Sequence, residues 1–271
     1  MPVKKVVVQP RDLSDFVDRL QASGRYTFHR EEALSALAVS DIALQSAARR
    51  LVAKGRICAP RRGFYVIVPV EYSQSGAPPP SWFIDDLMKF HRHPYYVGLL
   101  SAAALHGAAH QQPQVFQVVT DTTLRPITLG RSRVRFFLKW HLSETPTTEV
   151  KTETGAMRVS TPEATALDLV RYVESAGQLG NVATVLSELS EKINADRLVV
   201  AARTEVELSV VQRLGFLLER FASPGVAAPL AEWLATKRPR PVPLRPERNP
   251  KATEKNSRWQ LLVNEKVEVD E

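Results

Sequence analysis

Between residues 11 and 68 the apolar positions alternate between helical and strand spacing, and the order of that alternation constrains the fold more than any bulk property. Leu13, Phe16, Val17 and Leu20 form one stripe over Arg11 to Ala22, and Ser23-Gly24 follows as a stop, which predicts a first helix. Tyr26-Thr27-Phe28 alternates like a short strand. His29 to Leu37 opens with Glu31 and Glu32, acids that suit a helix amino terminus. Ala38-Val39-Ser40 reads as a turn, with Ser40 as the N-cap of a third helix over Asp41 to Lys54. Leu44, Ala47, Ala48 and Leu51 then face inward, and Gly55 lies just past the end. Ile57 to Ala59 and Phe64 to Val68 are strand-like, joined by Pro60-Arg61-Arg62-Gly63, whose glycine supplies the backbone freedom of a hairpin turn. Helix, strand, helix, helix, hairpin is the order of a winged helix-turn-helix.

Charge distribution supports a nucleic-acid partner for this segment. Residues 1–70 hold 12 Lys+Arg against 6 Asp+Glu, whereas the whole 271-residue chain carries a formal +7, so the other 201 residues are close to neutral. An excess gathered in one compact segment is the electrostatic footprint of a polyanion surface. The single cysteine, Cys58, allows no intramolecular disulfide and no thiolate cluster, in keeping with a cytoplasmic home. Val6-Val7-Val8 ends at Gln9-Pro10, too short for a signal-peptide core, and no segment offers about 20 apolar residues to span a bilayer. A soluble protein with no membrane partner is expected.

Beyond residue 70 the pattern is mixed. Ser73-Gln74-Ser75-Gly76-Ala77 and Pro78-Pro79-Pro80 lack apolar periodicity and mark residues 71–81 as a linker between domains at 1–70 and 82–271. Helices are predicted over Trp82 to Phe90 and Ser101 to His106, and strands over Val115 to Thr120 and Val134 to Lys139. Thr161-Pro162-Glu163 is a strong helix start, with threonine as cap and proline in the first turn. Asn181 to Phe221 is helical in pattern, broken near Asn194 and Arg203, and Ser223-Pro224-Gly225 reads as its end. Residues 237–258 are proline-rich and hold eight Lys+Arg against Glu247 and Glu254, a pattern for an irregular surface strap. Trp259 to Val263 regains strand character, which predicts that the tail docks back. The fold expected is α+β: an amino-terminal winged helix-turn-helix, then a mixed α/β domain with a helical carboxy-terminal region.

On the third helix Gln45, Ser46, Arg49, Arg50 and Lys54 fall away from the apolar stripe, and Arg61 and Arg62 sit at the wing tip. A helix of this width enters the major groove, where polar side chains reach base edges, while wing arginines approach phosphates or the minor groove. These seven residues are the expected DNA-binding set. The plain alternative is a solvated basic face on a module that binds only protein.

Several runs resemble the AbiEi family of antitoxins: Leu51 to Ile57 leading into Arg62 to Tyr65, Tyr96 to Gly107, Ser160 to Val170, and Asn256 to Asn264. The resemblance implies a bacterial antitoxin of abortive-infection systems whose amino-terminal domain represses its own operon at inverted repeats. It further implies a carboxy-terminal domain that neutralises a nucleotidyltransferase-like toxin encoded beside it. Within these runs, Ser101 to Gly107 reads as a tightly packed Ala-rich turn of helix, not as a binding site.

Other chemistries find less support. Asp121 with Glu149 and Lys151 is the residue set in which metal-dependent nucleases hold Mg²⁺ and position water, but Thr147 to Glu153 reads more simply as a charged strand or turn. His91, His93, His106 and His110 lack the cysteine or acidic company of a zinc site. No glycine-rich phosphate loop and no nucleophile elbow are present. The expectation is therefore a non-enzymatic, cofactor-free antitoxin and autorepressor that binds operator DNA. A nuclease with a DNA-binding domain and a protein-interaction adaptor stand as alternatives.

Overall fold

The structure, a computed structural model, describes residues 9–108, 113–248 and 254–268, so Val6 to Val8 and His110 lie outside it. The amino-terminal module comprises α1 (Leu13–Ala22), β1 (Thr27–His29), α2 (Arg30–Leu37), α3 (Asp41–Ala53), β2 (Ile57–Arg61) and β3 (Phe64–Ile67). Asp12 caps α1 by accepting from the Asp15 amide at 2.9 Å, and Ser40 caps α3 by accepting from the Ala43 amide at 3.3 Å. The strands form an antiparallel sheet in the order β1-β3-β2. The stripes read from the sequence meet in one core, where Leu13, Phe16, Val17 and Leu20 of α1 pack with Leu44, Ala48 and Leu51 of α3 and with Phe28 and Ile67.

The segment 71–81 is built into the molecule, although its composition is that of a free linker. Its 3-10 turns cover Val70–Tyr72 and Pro80–Trp82, Ala77 is buried, and Ser75 O accepts from the Arg131 amide at 3.0 Å. A Cβ at Gly130 would fall 1.9 Å from that Ser75 oxygen. Glycine at residue 130 therefore lets the two backbones touch.

The second part continues with α4 (Ile84–His91), β4 (Tyr95–Val97), α5 (Leu99–Leu105), β5 (Phe116–Thr120), β6 (Ile127–Leu129), β7 (Ser132–Leu138), β8 (Thr147–Thr152) and β9 (Gly155–Ser160). Its six strands are ordered β6-β7-β5-β4-β9-β8, with β5/β7 and β4/β9 parallel and the remaining pairs antiparallel. Alternate residues serve opposite faces, as a pleated strand requires. Val97 and Val118 join a core with Ile84, Leu87 and Met88 of α4 and with Phe64, Val66 and Val68 from the wing. Tyr96 and Val119 point to the other side, into the core of α6 (Pro162–Arg171), α7 (Gln178–Leu189), α8 (Ala195–Arg203), α9 (Leu208–Phe221) and α10 (Pro224–Thr236). No described helix is long and apolar enough to cross a membrane.

Two expectations are corrected at the carboxy terminus. Ser223-Pro224-Gly225 starts α10 instead of ending the helical region, because a proline in the first turn costs no hydrogen bond there. The basic strap is partly regular: β10 (Val242–Pro243), β11 (Glu254–Asn256) and β12 (Leu261–Val263) form a small sheet in the order β10-β12-β11. The tail does dock. Trp259 is 0% exposed, and its Nε1 donates to Glu219 Oε2 at 2.6 Å.

Candidate nucleic-acid interface

Burial of Leu44, Ala48 and Leu51 against α1 fixes which side of α3 faces solvent. Ile42, Ala43, Ser46, Arg49, Arg50 and Lys54 are exposed, and Gln45 is half-buried at the edge of the face. Arg49, Arg50 and Lys54 have no acidic partner among the described residues, so their charges point outward uncompensated. Gln45 is held differently. Its Nε2 donates to Asp41 Oδ2 at 2.9 Å, and Asp41 Oδ1 accepts from Arg30 Nε at 2.7 Å. The hydrogen bond to Asp41 raises the Arg30 pKa. The solvent side of α3 thus carries a braced amide near its start and unpaired cations toward its end.

The wing separates its two arginines. Arg62 is exposed and without an acidic partner among the described residues. Arg61 instead turns back on the second part of the molecule. Its Nη1 donates to Pro60 O at 3.0 Å, its Nη2 donates to Arg125 O, and its guanidinium lies 5.9 Å from the centre of the Phe136 ring. Burial, with the nearby Arg125 charge, lowers its pKa. Arg61 ends β2 and is held back by its contacts with Arg125 and Phe136, whereas Arg62 lies in the turn and makes no such contact.

The module is anchored through α4. The His29 ring stacks on Phe90 at 5.2 Å and Phe90 meets Phe64 at 5.5 Å, while Tyr26 packs edge-on to Trp82 at 4.8 Å. Thr27 Oγ1 also donates to Asp86. The face of α3 is therefore presented on a fixed base.

The nuclease residues are not brought together. Asp121 follows β5 and its Oδ1 is 2.9 Å from His93 Nδ1, whereas Glu149 and Lys151 are exposed on the edge strand β8. Strands β4 and β9 intervene, a lateral separation of about 14 Å at strand spacing. His106 Nε2 lies 2.7 Å from Ser160 O, a structural contact, and among the described residues no group of three His, Cys, Asp or Glu could hold a metal ion.

One cluster escaped the sequence reading. Lys139 Nζ lies 3.1 Å from Asp168 Oδ1 and 2.8 Å from Glu205 Oε1, and Arg171 reaches both Glu205 and Glu207. Burial opposes the Glu205 carboxylate, but Lys139 and Arg171 outweigh it and lower its pKa. For Asp168 burial prevails over Lys139 and raises the pKa. Asp168 falls in the Ser160 to Val170 run, yet no periodicity links it to residues 139 and 205. The cluster ties the end of β7 to α6 and to the segment between α8 and α9.

These features define an α+β protein in which a three-helix, three-stranded head with an outward cationic helix is fused to a mixed-sheet domain. Residues 96–220 match the family model of the AbiEi antitoxin C-terminal domain, so the resemblance read from the sequence is borne out over that stretch. The crystal structure of the RV2827C protein from Mycobacterium tuberculosis is similar with a TM-score of 0.66 at 18% identity, over 94% of this chain and 94% of that one, a likeness of fold alone. No curated protein matches the sequence.

Proposed function

We propose that this chain is the antitoxin and autorepressor of a bacterial toxin–antitoxin operon, acting in the cytoplasm. Its amino-terminal module binds operator DNA with α3 in the major groove, and its carboxy-terminal domain counters a nucleotidyltransferase-like toxin. The outward face of Ser46, Arg49, Arg50 and Lys54, together with exposed Arg62 at the hairpin tip and no acid pairing these cations among the described residues, carries the DNA half. The antitoxin-domain match supports the other half.

Anisotropy titrations with duplex from upstream of the protein's own reading frame test the first half. Arg49→Ala and Gln45→Ala are expected to cost about 1 to 3 kcal/mol on the operator and much less on random duplex. Co-expression with a neighbouring nucleotidyltransferase-type gene tests the second, the expected result being rescue of growth. One observation favours a protein-binding adaptor: Ile42, 79% exposed, stands on the same face of α3. If no upstream duplex binds at moderate salt, the adaptor replaces the repressor.

A further inference from the structure

The two edges of the six-stranded sheet differ. At one edge β6 is three residues long, and the 71–81 segment lies against its hairpin, where Ser75 O accepts from the Arg131 amide. At the other, β8 runs for six residues, Thr147-Thr148-Glu149-Val150-Lys151-Thr152, and among the described residues it pairs with β9 alone. Thr147, Thr148, Glu149 and Lys151 are exposed. Every second residue of an edge strand turns its amide and carbonyl out of the sheet, so β8 offers a row of free backbone groups to a strand laid beside it.

A charge on an edge ordinarily forbids such pairing, because it repels its like on an incoming strand. The spacing in β8 removes that obstacle for one partner, a second copy of the same strand. Glu149 and Lys151 flank Val150, so an antiparallel copy related by a two-fold axis at Val150 sets Glu149 opposite Lys151 of the second copy, and Lys151 opposite its Glu149. Thr148 then faces Thr152 of the second copy. Side chains directly opposite one another have Cβ atoms about 5 Å apart, close enough for opposite charges and for threonine pairs to contribute. On β9 the exposed Arg158 is in register with Glu149 and extends the row as positive, negative, positive. Glu149 and Lys151 make no hydrogen bond or ion pair among the described residues; Lys89 of α4 senses the Glu149 charge but is itself paired with Asp85.

We propose that β8 is a dimerisation edge, at which two copies of this chain join their sheets into one continuous sheet. The contact is isologous, each copy giving and receiving the same pairs. It assigns the Glu149-x-Lys151 spacing a role in self-recognition, and it stands independently of the DNA reading. Six residues a side bury less than the roughly 1,600 Å² of a stable interface, so association is expected at about 1 to 100 µM.

Sedimentation velocity of the full chain over roughly 1 to 300 µM, with hydrogen exchange of the β8 amides at both extremes, tests this. The wild type is expected to pass from monomer to dimer while exchange in β8 slows. Lys151→Glu and Glu149→Lys each set like charges opposite one another twice, and each should weaken association about tenfold or more. Mixed in equal amounts, the two variants present opposite charges and should pair again to within a few-fold of wild type. Glu149→Lys also faces Arg158, so thermal melts check that it folds; if it does not, Lys151→Glu and the exchange of β8 decide alone. A wild type that stays monomeric at about 300 µM overturns the proposal, as does a dimer that neither variant weakens. A mixture of folded variants that fails to associate overturns the two-fold register at Val150.

Discussion

Asp41 is gripped by Arg30 and in turn holds the Gln45 amide, so on the DNA reading proposed above Gln45 would meet a groove with its rotamer already chosen. Asp41→Ala is expected to lower the ratio of operator to random affinity several-fold while the salt slope stays put, as competition titrations would register; an unchanged ratio would remove Gln45 from the reading set. A second residue-scale expectation concerns Glu205. Its lowered pKa means that it contributes stability above its unfolded value near 4.5, and that this contribution disappears as pH falls through the folded value. Asp168, with a raised pKa, acts in the opposite sense: its contribution is complete below 3.8 and is lost as pH rises through the folded value. Glu205→Gln leaves Lys139 and Arg171 short of a buried partner and should cost about 3 to 5 kcal/mol at pH 7. Urea denaturation at pH 7 and at pH 4 should find the difference from wild type smaller at the lower pH.

Among the elements, α9 is the one whose sequence hides its purpose. Gly215 interrupts an otherwise strong helix former, and helical propensity makes it a defect worth about 1 kcal/mol. The fold explains it, because a Cβ there would sit 1.9 Å from Cζ3 of the buried Trp259 ring. Gln212, one turn earlier, donates from Nε2 to Arg240 O at 3.0 Å and to Gln260 O at 2.9 Å, so α9 grips both ends of the strap. Gly215→Ala is therefore expected to destabilise the protein even though it improves propensity, and thermal melts should place it below wild type. A higher melting temperature would mean that the strap does not lean on α9. By contrast the elements of the head were legible, since each cap and each stripe is local: Ser40, Gly55 and the Leu44–Ala48–Leu51 face all act where the sequence places them.

At the scale of the whole molecule the two parts share a core. Phe64, Val66 and Val68 of the wing are buried with α4 and the large sheet, and α4 contributes Phe90 to the stack over His29. A fragment ending at residue 72 uncovers that face, whereas one ending at residue 92 keeps α4 over part of it. The longer fragment is expected to melt cooperatively at a higher temperature and to bind duplex more tightly. Equal melting of the two fragments would show that the head is self-sufficient and that the 71–81 segment is a true boundary. Buried Cys58 offers a convenient probe, since burial pushes its thiol up to about 12 and its alkylation should track the exposure of this face.

By itself the sequence determined the α+β class, the order of elements in the head, the face of α3 that meets solvent and the docking of the tail, all of which follow from periodicity, caps and composition over a few residues. Only the tertiary structure decided that Arg61 and Arg62 part company, that the linker-like stretch is packed, that Asp121 stands three strands from Glu149, and that Lys139, Asp168 and Glu205 meet. Each of these depends on strand order or on contacts between residues far apart in the chain. Local spacing carries no record of such contacts, because they are selected by which faces can bury one another once the chain has closed.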